Sequence, residues 1–186
     1  MQCVVKEKPQ VQFEPVTSSA QQIGIMGGTF NPVHLAHLSM AEQVRKQLHL
    51  DEIWFIPNNT PPHKKIAGNI STKDRCAMLE LATHDNPHFH VKLFEIMRGG
   101  TSYMVDTLRY LKRRAPRNQY YLIMGSDEVN DFENWREPET MIWVDAPNLD
   151  ISSSLIRQNI ATGNSIRYLV PESVRLYIES RGLYRD

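Results

Sequence analysis

The stretch GIMGGTFNPVHLAHLSMAEQ, residues 24–43, decides how the chain folds around its first strand. It begins apolar, passes through Gly27 and Gly28, and places His34 and His37 three residues apart where a helix begins. Glycine lets a backbone approach a ligand closely or adopt a positive φ. The N-terminus of the following helix offers free N–H groups and a positive dipole end, which favour phosphate. Histidines at i and i+3 share one face of the first turn, so both could stabilise the same anion.

His34 and His37 also allow three ordinary interpretations: surface residues, a satisfied polar pair at a turn, or zinc ligands. Zinc needs further ligands, and the sequence has neither a close cysteine pair nor HExxH. The glycines do not have the spacing of the dinucleotide-binding GxGxxG motif, and no Gly-Lys-Ser/Thr follows as in a Walker A loop. A phosphate at this turn would therefore be bound by neither of these two motifs.

Strands and helices alternate from Ile23 onward, because short apolar runs are followed by segments with helical periodicity. This order predicts an α/β fold with an open, doubly wound parallel sheet and right-handed crossovers. Ligands of such sheets lie at the carboxyl ends of the strands, where the quoted turn is placed. The predicted strands are 23–27, 52–57, 89–97, 120–124 and 141–144, and the predicted helices are 35–49, 71–84, 102–114, 127–135, 153–161 and 171–180.

Composition limits the classes of function. Lys plus Arg and Asp plus Glu both total 21, and this neutral balance argues against general nucleic-acid binding. The sequence lacks an apolar run long enough to span a membrane. Cys3 and Cys76 do not make a disulfide framework, so we expect a cytoplasmic protein. Residues 1–22, polar and proline-spaced, are predicted to be an N-terminal tail that could add a short edge strand, and 23–186 a single domain.

A second motif, DISSSLIR, occupies residues 150–157. Its serines can cap a helix and leave N–H groups for phosphates. Arg157, one turn into that helix, can reach the same oxygens through charge-assisted hydrogen bonds. Taken alone, the segment is more typical of a well-capped helix with an exposed arginine.

Together the two motifs resemble a known superfamily. GGTFNPVHLAH (27–37) resembles the G-x-F-x-P-x-H-x-G-H signature of the nucleotidyltransferases, with Ala36 in place of glycine, and ISSSLIR resembles I-S-S-T-x-I-R, with Ser154 in place of threonine. Further segments resemble the bacterial-type nicotinate-nucleotide adenylyltransferases, and these are residues 57–65, 71–75, 99–111, 120–135 and 168–184. The resemblance covers residues 23–186 and implies a Rossmann-like nucleotidyltransferase fold.

The resemblance implies an adenylyl transfer from ATP, accompanied by Mg²⁺, to nicotinate mononucleotide, with nicotinate adenine dinucleotide and pyrophosphate as products. The catalytic residues it implies are His34, His37 and Arg157. The ATP-binding residues it implies are Gly27, Gly28, Thr29, Phe30, His34, His37, Gly125, Ser126, Asp127, Ile151, Ser152, Ser153 and Arg157. The residues it implies for nicotinate mononucleotide are Lys64, Arg75, Thr101, Tyr103 and Trp135. No protein-held metal site, nucleic acid or membrane is implied, and the protein could be a monomer or a homo-oligomer.

Two alternatives stay open. One is an adenylyltransferase for another phosphorylated acceptor, nicotinamide mononucleotide or phosphopantetheine. The other is a non-catalytic nucleotide sensor on the same scaffold. The PPHK loop and the region of Trp135 favour the nicotinate enzyme, and the retained histidines favour catalysis.

The chain departs from the family pattern after Thr140, which runs directly into Met141. About two dozen residues that would supply a strand and a loop are absent. A shortened chain would lose a parallel strand from a sheet that is buried on both faces. We therefore favour a segment missing between Thr140 and Met141 over a true deletion, and an intact mass of 21.5 kDa would contradict that expectation.

Overall fold

A computed structural model describes residues 2–7, 20–61, 66–68, 70–125, 140–146 and 149–185. Within these ranges six strands form one sheet in the order β4-β3-β2-β5-β1-β6. The strands are β1 (Gln2–Glu7), β2 (Gln22–Gly28), β3 (Glu52–Pro57), β4 (Phe89–Val91), β5 (Gln119–Gly125) and β6 (Thr140–Asp145). The helices are α1 (Leu35–Gln47), α2 (Thr72–Thr83), α3 (Phe94–Arg98), α4 (Met104–Arg114), α5 (Ser153–Ala161) and α6 (Glu172–Arg181).

Strands β4, β3, β2 and β5 are parallel, which confirms the predicted fold class. Alternate residues of β2 and β5 enter two separate cores on the two faces of the sheet. Ile23 and Ile25 pack with Leu108 and Leu111 of α4 on one face. Met26 packs on the other face, where α1, α2, α5 and α6 contribute a larger core. Helices therefore cover both faces, and the carboxyl ends of the parallel strands form one edge.

Local capping signals account for several helix ends. Ser71 accepts a hydrogen bond from the Asp74 backbone N–H and caps α2. Ser152 does the same for α5 with the Leu155 N–H. Gly182 adopts a left-handed conformation (φ 62°) just after α6. These three signals were readable in the sequence, and the corresponding helices lie within two residues of their predicted bounds.

The prediction of a single strand over residues 89–97 is wrong. Strand β4 ends at Val91, and α3 begins at Phe94. The helix buries Glu95, whose carboxylate accepts a hydrogen bond of 2.7 Å from the Thr107 hydroxyl of α4. This contact with a later segment stabilises a helix where the local apolar pattern favoured a strand.

The N-terminal segment enters the sheet more deeply than expected. Strand β1 is not an edge strand, because it pairs antiparallel with β5 on one side and with β6 on the other. Val5 lies opposite Ile123 in β5 and Ile142 in β6. Thr140 and Met141 are consecutive residues of β6. The place between β5 and β6 is therefore filled by the N-terminus, and the domain boundary at residues 22 and 23 stays a prediction.

Candidate active site

The turn between β2 and α1 lies at the carboxyl edge of the parallel strands. Gly27 and Gly28 are the last residues of β2, and neither has a positive φ. The left-handed residue is Phe30 (φ 47°), whose buried ring packs edge-on against His37 at 5.1 Å. A Cβ at Gly27 would meet the terminal methyl group of Met104 in α4, so the missing side chain lets Met104 lie against the strand end.

His34 and His37 lie together at the start of α1, as the sequence predicted. His34 occupies the N-cap position, and the two imidazole rings stack with centroids 3.7 Å apart and planes 27° from parallel. Nδ1 of His37 accepts a hydrogen bond of 3.2 Å from the His34 backbone N–H. A neutral His37 therefore carries its proton on Nε2 and can donate it to an anion.

Burial lowers the pKa of both histidines. Desolvation lowers the pKa of His34 to about 4, and desolvation together with the charge of His34 lowers the pKa of His37 well below its ordinary value. His34 Nδ1 is buried without a hydrogen-bond partner among the described residues. The pair is thus held neutral, with a polar atom unsatisfied, at a helix N-terminus that attracts anions.

The second motif contacts the first across more than a hundred residues. The hydroxyl of Ser153 donates a hydrogen bond of 2.8 Å to the Pro32 carbonyl. Nη1 of Arg157 donates one of 2.7 Å to the Asn31 carbonyl, and Nη2 donates one of 3.0 Å to Ser154 Oγ. The N-terminus of α5 therefore lies against the turn that carries the histidines. Ser152 is exposed, Ile151 is partly buried, and Gly125 ends β5 at the same carboxyl edge.

Arg75 contacts the ends of two parallel strands. It is fully buried, and its guanidinium donates hydrogen bonds of 2.7 Å to the Thr29 carbonyl and 2.9 Å to the Asn58 carbonyl. These bonds tie the guanidinium to the ends of β2 and β3 and support the turn, while its Nε is buried without a partner among the described residues. Its expected contact with a substrate phosphate stays a prediction. The sequence could not separate these roles, since both need an arginine near the turn.

The segment expected to bind the acceptor lies beside the loop after β3. Thr101 pairs with Thr60, and the neighbouring Ser102 backbone N–H donates to the Thr60 carbonyl at 2.9 Å. Tyr103 caps α4 and is 49% exposed, so its ring is available to a ligand. Lys64, Ser126, Asp127 and Trp135 lie outside the described residues, and their predicted roles stay predictions.

Sequence reasoning missed Asn58, the first residue after β3. Its Nδ2 donates to Thr29 Oγ1 at 3.1 Å, and its Oδ1 is buried without a partner among the described residues. Its position directly after a parallel strand was the available signal. Asn58 joins the two strand ends and leaves an acceptor at the site.

The fold and this pair of motifs define a nucleotidyl-transferring α/β protein. The model of the cytidylyltransferase-like family matches residues 25–159. A probable nicotinate-nucleotide adenylyltransferase of Lactiplantibacillus plantarum is 44% identical over all of this chain and 99% of its own length. One of Enterococcus faecalis is 43% identical over 95% of this chain and 91% of its own. The chain belongs to the nicotinate-nucleotide adenylyltransferase family within the cytidylyltransferase-like proteins.

Solved structures agree on the fold. The chain is similar to a Plasmodium falciparum nicotinic acid mononucleotide adenylyltransferase complexed with NaAD. The TM-score is 0.70 at 20% identity, and the match covers 88% of this chain and 97% of the other. At that identity the likeness shows the fold alone.

The alignment with the Lactiplantibacillus plantarum protein also bears on chain length. It runs over 209 positions and includes all 186 residues, so 209 less 186 leaves 23 positions without a residue of this chain. The alignment includes residues 1–22 as well. A segment missing between Thr140 and Met141 stays a prediction. Within the part of the chain that the structure describes, no helix is long and apolar enough to cross a membrane.

Proposed function

We propose that the protein transfers the adenylyl group of ATP to nicotinate mononucleotide in NAD biosynthesis. The observation that carries the proposal is the convergence of the two motifs: Arg157 and Ser153 bond to the carbonyls of the turn that presents His34 and His37. Family membership supports the same reaction, because relatives that match 95% or more of the chain are named probable nicotinate-nucleotide adenylyltransferases.

The reaction is an in-line displacement at the α-phosphorus of ATP. A phosphate oxygen of nicotinate mononucleotide forms a bond to this phosphorus, and the bond to the pyrophosphate oxygen breaks. Protein groups need not accept or donate a proton in this exchange. Catalysis then consists of holding both phosphates in line and stabilising the charge that builds up on the α-phosphate oxygens.

The residues divide this work between them. Nε2–H of His37 would donate to the α-phosphate, and the positive end of the α1 dipole would favour the anion there. Ser152, Ser153 and the N-terminus of α5 would bind the β- and γ-phosphates, and Arg157 would supply a positive charge there. Mg²⁺ would be brought by the triphosphate and retain mostly water ligands while it neutralises that charge. Thr101, Tyr103 and Trp135 would form the nicotinate pocket.

Pyrophosphate release tests the proposal. Purified protein is incubated with ATP, Mg²⁺ and nicotinate mononucleotide, and in parallel with nicotinamide mononucleotide, with phosphopantetheine or with no acceptor. Release only with the nicotinate form, lost in His37→Ala and on chelation of Mg²⁺, is the expected result. His84→Ala is the matched control, because His84 is exposed at the end of α2. Release of pyrophosphate with another acceptor would overturn the proposed substrate. Absence of release with every acceptor would overturn the proposal that the protein is an enzyme.

A further inference from the structure

Asn31 joins three distant segments of the chain. It is 4% exposed, and its Nδ2 donates a hydrogen bond of 2.8 Å to the Ala67 carbonyl in the loop after β3. Its Oδ1 accepts one of 2.8 Å from the Tyr184 hydroxyl near the C-terminus. Its backbone carbonyl accepts from Arg157 of α5. Both side-chain heteroatoms are therefore satisfied, and each bond fixes Asn31 to a different element.

Tyr184 reaches this position through a folded-back end of the chain. Gly182 and Tyr184 both adopt left-handed conformations, with φ of 62° and 64°. A left-handed tyrosine costs about 1–2 kcal/mol, so its contacts must outweigh that cost. Desolvation raises the pKa of Tyr184 well above its ordinary value, so the hydroxyl stays a donor at physiological pH. Its ring also lies along Gly68, where a Cβ would be 3.6 Å from Tyr184 Cδ1.

The bond acts on the turn that the proposed reaction uses. Asn31 follows the left-handed Phe30 and precedes His34, the N-cap of α1, by three residues. If the Asn31 side chain turns away, the turn loses its ties to the C-terminus and to the loop after β3. The histidines and the N-terminus of α1 would then sample more orientations, which slows a reaction that depends on alignment.

We propose that Tyr184 is a positioning residue, whose hydroxyl holds Asn31 and thereby aligns the histidine turn with the loop after β3. The proposal rests on the proposed adenylyl transfer for its kinetic consequence, but its structural consequence is independent of it. The competing interpretation is that the hydroxyl only adds stability. Tyr177 provides the comparison, since its hydroxyl donates an equal bond of 2.8 Å from α6 to Asp74 Oδ1.

Tyr184→Phe and Tyr177→Phe each remove one hydroxyl and form a matched pair. For Tyr184→Phe we expect kcat to fall about tenfold because the histidine turn is less well aligned, with the KM for ATP changed less than threefold. Amide hydrogen exchange in residues 29–37 should become faster. For Tyr177→Phe we expect a lower melting temperature with kcat within twofold of the parent and no faster exchange in residues 29–37.

A double-variant cycle shows whether Tyr184 acts through Asn31. Adding Tyr184→Phe to Asn31→Ala should cost nothing further, whereas full additivity would overturn the proposal. Equal kinetic effects of Tyr184→Phe and Tyr177→Phe, or unchanged exchange in residues 29–37 of Tyr184→Phe, would also overturn it. If the parent protein turns over no acceptor, the proposed function fails on its own, and the exchange comparison alone then decides whether Tyr184 holds the turn.

Discussion

The imidazole rings of His34 and His37 stack 3.7 Å apart at the first turn of α1, with Nδ1 of His37 accepting the His34 backbone N–H. Two cations at that separation would repel strongly, and burial disfavours each of them further. A bound anion reverses this balance, because it stabilises a positive charge on the ring it touches. The stacked pair is thus an uncharged donor site until a phosphate arrives.

The depressed pKa of His34 predicts a pH-dependent stability. In the unfolded chain the imidazole titrates near its ordinary value of 6.5, and in the folded protein near 4. Between these values the unfolded state binds more protons, so stability falls as the pH falls through this window and levels off below it. At pH 4.5 we expect the parent to have lost about 2 kcal/mol more than His34→Asn, relative to pH 7.

Urea unfolding at pH 7 and pH 4.5 measures the difference. His84→Asn should follow the parent, because His84 is exposed. If His34→Asn and the parent lose the same stability, the histidine is not buried as a neutral group.

Arg75 provides a second prediction, through stability. Its guanidinium bridges the Thr29 and Asn58 carbonyls from a fully buried position, and lysine cannot span both with one ammonium group. Arg75→Lys should therefore destabilise the protein by about 2–3 kcal/mol. Lys73→Ala, on the exposed side of the same helix turn, should change stability by less than about 0.5 kcal/mol. Chemical denaturation measures the stability of both variants. If Arg75→Lys had unchanged stability but weaker acceptor binding, Arg75 would be a ligand of the substrate phosphate.

Ala36 is the one residue of the histidine motif that differs from the superfamily pattern, and its substitution by glycine tests the effect of that difference. It is 8% exposed in the first turn of α1, where the superfamily pattern has glycine. Ala36→Gly should lower the free energy of unfolding by about 0.5–1 kcal/mol, because glycine loses more backbone entropy in a helix. Turnover should stay within a few-fold, since the methyl group only tightens the fit. Pyrophosphate release and thermal melting measure both quantities, and a large gain in turnover would mean that the Ala36 methyl obstructs the nucleotide.

The features that the sequence predicted well are those with local causes. Ser71 and Ser152 cap their helices through bonds to residues three positions away, and the spacing of His34 and His37 places both on one helical turn. Features with distant causes were missed. The Tyr184 hydroxyl donates to Asn31, 153 positions earlier in the chain. Glu95 of α3 accepts a hydrogen bond from Thr107 of the later helix α4. Local propensity carries no signal for such pairings, because the partner is chosen by the tertiary fold.

Strand β1 provides the last prediction. We expected a shortened chain to lose a strand, because we assumed that only residues after 22 form the sheet. In the structure, β1 lies between β5 and β6. An interior strand cannot accept proline without losing a ladder hydrogen bond, whereas an unpaired tail can. Val5→Pro should therefore lower the melting temperature by several degrees, consistent with a loss of about 3 kcal/mol.

Val5→Thr is the matched control, because threonine is β-branched and retains the backbone N–H. It should stay within about 1 kcal/mol of the parent. Thermal melting of both variants, on protein whose intact mass is 21.5 kDa, makes the comparison. Equal melting temperatures for Val5→Pro and Val5→Thr would mean that the N-terminus is not part of the sheet, and that β5 and β6 are joined by other residues. A selective loss in Val5→Pro would mean that the N-terminal strand stabilises this protein from its place between β5 and β6.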